Sequence, residues 1–100
     1  MSSTPLAPEL LRDVRTTLLA AGVLPVSDAE TWVNARGEVL IKVTVAPEER
    51  EGAAEIPGRL LQILTLSRYA LTSTSDSAAP TSLSPENALR AGHAVRVIRD

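Results

Sequence analysis

Between Thr31 and Val45 the chain carries a period-two pattern. Val39, Ile41, Val43 and Val45 fall on one side, and Leu40, Lys42 and Thr44 on the other. That is the pattern of a strand with one apolar face and one mixed face. Thr31, Trp32 and Val33 form a second β-prone run across the turn residues Asn34 to Gly37, so the stretch reads as a hairpin. Two registers fit it. A two-residue turn at Arg36-Gly37 pairs Trp32 with Ile41 and turns the indole inward. A type I turn over Asn34 to Gly37 with a glycine bulge pairs Val33 with Val39 and Trp32 with Leu40. The second has Asn first and Gly last, both favoured, and sets Val33 on the face of Val39, Ile41, Val43 and Val45. It is the preferred register.

The pattern changes to helical spacing on both sides of the hairpin. Leu10, Leu11, Val14, Leu18 and Ala21 recur at intervals of three, four and seven, which predicts a helix over 8–21. Pro8 suits its first turn, Glu9 complements the helix dipole, and Gly22 sits where a left-handed cap belongs. A second helix is expected from Pro57, with Leu60, Leu61, Leu64 and Arg68 on one stripe, widened by Ile63 and Leu66. Residues 63–66 also fit a strand. A strand from Tyr69 to about Thr74, with Leu71 inward, follows. Ser84-Pro85-Glu86 supplies a cap, a first-position proline and an acidic first turn for a short helix ending at Gly92. The last strand runs from His93 to Arg99, with Val95 and Val97 on one side and Ala94, Arg96 and Ile98 on the other. Residues 1–7 are expected to fray and 73–84, rich in Ser, Thr, Ala and Pro, to form a flexible loop.

The resulting order is α-β-β-α-β-β, with a short extra helix before the last strand. Its two halves are alike in plan: a leucine-rich helix, then two strands. The fold class expected is α+β, a single domain over residues 1–100 in which two helices cover one face of a four-stranded, mostly antiparallel sheet. The other face is left open. This layout resembles small uncharacterised proteins from GC-rich actinobacterial genomes and their mobile elements. The likeness rests on Ala21-Gly22-Val23 at a helix end, on the hairpin, and on Val95-Arg96-Val97 near the C-terminus. That group has no assigned activity, so the resemblance implies architecture alone.

Composition narrows the function classes. A net charge of -2 leaves no bulk basic field to hold nucleic acid. Trp32 and Tyr69 are the only aromatics, too few for a base-stacking sheet, and the core must be aliphatic. The absence of cysteine, of a membrane-length apolar run and of a signal peptide leads to the expectation of a cytoplasmic protein with no membrane association.

Candidate chemistry is sparse. His93 is the single histidine, short of a zinc set, and no serine sits in a nucleophile elbow. The acids Glu48, Glu49, Glu51 and Glu55 crowd a loop with nothing to make their oxygens converge. No phosphate-binding glycine loop is present. The expectation is therefore of no catalytic residue, no metal and no cofactor. What remains is a non-enzymatic interaction or regulatory accessory module, with a protein partner or self-association. Its surface would be the outer sheet face: Trp32, Leu40, Lys42, Arg96 and Ile98. The alternative is a small-ligand domain with a pocket between sheet and helices, near Trp32 or Tyr69.

Overall fold

The leucine and valine stripe of the first segment winds into α1 (Ala7–Ala20) in the computed structural model, which describes residues 7–23, 27–46, 48–49, 51–72 and 84–99. Val14 and Leu18 are fully buried, Leu10 and Leu11 partly, while Ala21, expected on the same stripe, is exposed. Gly22, with φ 83°, closes the helix: its N–H reaches the Leu19 carbonyl and that of Val23 the Leu18 carbonyl. This is the two-bond pattern of a Schellman cap.

The hairpin follows as β1 (Ala29–Val33) and β2 (Val39–Val43). Its register is that of the bulged turn, with Val33 opposite Val39 and Trp32 opposite Leu40. The cause is local. Asn34 Oδ1 accepts from the N–H groups of Arg36 at 3.0 Å and Glu38 at 2.9 Å, and Gly37 takes φ 79°. Few residues other than glycine adopt that conformation without strain.

A 3-10 turn, Ala53–Glu55, leads into α2 (Ile56–Leu66), so the second helical segment starts earlier than Pro57 and residues 63–66 are helix. Leu60 and Leu64 fill the interior from this helix. Arg68 does not extend the stripe: it is exposed, beyond the helix, with φ 67°. β3 (Tyr69–Thr72) comes next. The expected loop lies outside the described residues except for Ser84, whose hydroxyl accepts from the Asn87 N–H at 3.3 Å and caps α3 (Pro85–Arg90). β4 (Val95–Arg99) completes the sheet.

The strand order is β1-β2-β4-β3, every neighbour antiparallel. Each edge strand is thus paired with the next strand of its own half, and the halves meet at the central β2–β4 seam. The likeness of the two halves, visible as a repeated helix-strand-strand order, becomes an approximate two-fold arrangement about that seam. All three helices pack on one face. Between them and the sheet lie Ala29, Val39, Ile41, Val95, Val97 and Tyr69, at most 6% exposed. The opposite face carries Glu30, Trp32, Leu40, Lys42, Arg96, Ile98 and Ala70, as pleat alternation requires.

Candidate interaction surface

The outer face is organised around one cross-strand row. Trp32 stands opposite Leu40, Leu40 opposite Arg96, and Arg96 opposite Thr72. Glu30 pairs with Lys42 on one side of this row, and Ala70 with Ile98 on the other. Trp32, Lys42, Arg96 and Ile98 are half-buried. Leu40 differs from its expected part: it points to the outer face but is only 1% exposed. It is a buried floor position in the patch, with Trp32 and Arg96 as its cross-strand neighbours.

The hairpin turn helps fix this surface. Asn34 Nδ2 donates to Glu38 Oε1 at 2.9 Å, and Glu38 Oε2 lies 3.4 Å from the Arg96 guanidinium. The same asparagine that sets the turn therefore orients the carboxylate that steers Arg96 across the seam. The side chain of Arg96 is 43% exposed, while its Nε is buried without a hydrogen-bond partner. Acid and base are balanced on this face, Glu30 and Glu38 against Lys42 and Arg96.

A cavity of about 410 Å³ opens elsewhere, at the end of β2. Val43, Val45, Ala54, Pro57, Leu89 and Arg90 are among its lining residues, and neither Trp32 nor Tyr69 is. Arg90 there is held by Glu86 at 2.8 Å and by the Ala54 carbonyl at 3.4 Å. Tyr69 is instead a core residue, 6% exposed, with the Arg99 guanidinium 5.4 Å from its ring centroid and Asp13 bonded to Arg99 at 2.8 Å. His93 is half-buried and bonded through its backbone N–H to the Ala88 carbonyl at 2.8 Å, which closes α3. Among the described residues no group of three or more acids and histidines converges as a metal site.

One contact escaped the sequence pattern. Arg15, on the helix face away from the leucine and valine stripe, donates from Nε to Thr31 Oγ1 at 3.0 Å and from its terminal nitrogen to the Thr31 carbonyl at 2.8 Å. Thr31 is 1% exposed. The signal available was faint: a lone hydroxyl on the inner face of a strand, needing a donor.

No family model, no curated protein and no solved structure matches the chain with significance. No helix among the described residues is long and apolar enough to cross a membrane. The molecule is defined so far by its architecture, an open-faced α+β sandwich.

Proposed function

We propose that the chain is a non-enzymatic interaction or regulatory module that holds a partner protein on its outer sheet face. The observation that supports this reading is the one-sidedness of the fold. Three helices share one face, and the other carries the only tryptophan and Arg96 on either side of a buried leucine. Trp and Arg are the residues that most often anchor interfaces, and a rigid floor keeps them in place before binding. The test is affinity capture with the full chain and with Trp32→Ala and Arg96→Glu chains whose folds are checked by circular dichroism. A partner held by the wild type and released by both variants supports the reading. A partner held equally by all three removes it.

A second reading, a small-ligand domain, is favoured by the cavity at the end of β2. Its volume of about 410 Å³ is within the range of small-molecule sites. A ligand panel read by thermal shift tests it: a true ligand raises the melting temperature by mass action, and Ala91→Trp, which fills the cavity mouth, removes the shift.

A further inference from the structure

The cavity at the end of β2 lies where β4 leaves its neighbour. Antiparallel strands alternate between residues whose main-chain groups face one side and residues whose groups face the other. The Thr44 N–H bonds the Asp28 carbonyl, so Thr44 faces β1 and Val43 faces the β4 side. Pairing of β2 with β4 stops at Ile41 opposite Val95, and the next pair in that register would be Val43 with His93. His93 instead gives its N–H to the Ala88 carbonyl at 2.8 Å, after Gly92 turns the chain with φ 86°. Val43 therefore keeps a main-chain N–H and C=O aimed at the space β4 vacates, with no partner among the described residues.

The walls around that space are apolar. Val45, Pro57 and Leu89 are buried, and Ala54 and Ala91 continue the lining. Two charged side chains are among the lining residues. Arg90 is already committed to Glu86 and to the Ala54 carbonyl. Glu49 is exposed, and its carboxylate has no hydrogen bond or ion pair among the described residues. A bond from the Glu49 N–H to the Ala46 carbonyl at 3.0 Å fixes the turn that carries it. At the end of α3 the carbonyls of Arg90 and Ala91 accept no main-chain bond. Unused acceptors and one uncompensated negative charge thus outweigh the unused donors.

We infer that this cavity binds a small aliphatic amine that also carries an amide group, an inference that rests on the small-ligand reading above. Each part of such a molecule answers a feature of the lining. The aliphatic body lies against Val45, Pro57 and Leu89. The ammonium neutralises Glu49. The amide exchanges with Val43 the two hydrogen bonds that β4 does not make. A carboxylate of the same size would meet Glu49 and open carbonyls, and is selected against by repulsion and by acceptors left without donors.

The probe is leucinamide, titrated into the full ¹⁵N-labelled chain and followed through the amide resonances. N-acetyl-leucinamide, which keeps the body and the amide but loses the charge, is the control. Leucinamide is expected to shift Val43 and Ala91 and to leave Trp32 unmoved. The acetylated compound is expected to bind about three- to fivefold more weakly, the scale of one exposed ion pair. Glu49→Gln should weaken leucinamide by the same factor and leave N-acetyl-leucinamide unchanged. Ala91→Trp should remove both. Equal binding of the two compounds, or indifference to Glu49→Gln, overturns the amine assignment and leaves a cavity that takes small molecules regardless of charge. No shift at Val43 with leucinamide at about 10 mM overturns it as well, while the small-ligand reading is then decided separately by the thermal-shift panel.

Discussion

Leu40→Ala separates a covered floor from an open patch. The leucine is on the sheet face away from the helices, yet is 1% exposed. Truncation forfeits roughly 2–2.5 kcal/mol of transfer free energy at about 0.8 kcal/mol per buried methylene. A rigid cavity would raise the cost towards the roughly 5 kcal/mol upper end for leucine-to-alanine changes, but the neighbouring Trp32 and Arg96, both half-buried, can settle into the gap. The expected loss is therefore about 2–3 kcal/mol, a large share of the roughly 5–15 kcal/mol that holds a domain together. For a chain of this size that lowers the melting temperature by roughly 10–20 °C. Urea titration followed by circular dichroism, with the denaturant slope unchanged, measures it directly. Ile41→Ala, one residue along and 0% exposed beneath the helices, supplies the reference and should cost about 3–5 kcal/mol. A Leu40→Ala loss of about 0.5 kcal/mol or less would refute the floor, since surface changes fall in that range.

Arg15→Ala should cost about 1–2 kcal/mol, the scale of a charge-assisted bond to a buried partner, and should speed amide exchange in β1 more than in β4; unchanged exchange would show that the clamp is idle. Arg68→Gly should stabilise the chain by roughly 0.5–1 kcal/mol by relieving its left-handed backbone, seen as a raised urea midpoint; a lowered midpoint would mean that its side chain outweighs the strain.

The parts of the fold legible in the sequence are those settled by neighbours along the chain. The hairpin register follows from Asn34 and Gly37, which stand within the turn they shape. The helix ends follow from Gly22 and Ser84. Residues 63–66 were ambiguous because a run of Ile, Leu and Thr satisfies both periods, and the decision came from Leu60 and Leu64 sharing one buried stripe. Leu40 was placed on the correct face but not at the correct depth. Its cross-strand neighbours, Trp32 and Arg96, come from two other strands, brought beside it partly by a seam that no local pattern encodes. The cavity is of the same kind: β2, the 3-10 turn, α2 and α3 each contribute to its wall. The Arg15 clamp needed the path of α1 over β1, which helical spacing alone does not specify.

The order of the strands also sets a timetable for folding. The turn at Asn34 closes β1 onto β2 at almost no cost in chain entropy. β4 returns to β3 only after residues 73–94, and the Leu40–Arg96 pair at the seam joins points separated by more than half the chain. Loop closure must be met before such contacts give anything back, so the first hairpin is the natural nucleus and the seam the late, rate-setting event. Substitutions at Asn34 or Gly37 should then slow folding, whereas those at the seam should chiefly hasten unfolding.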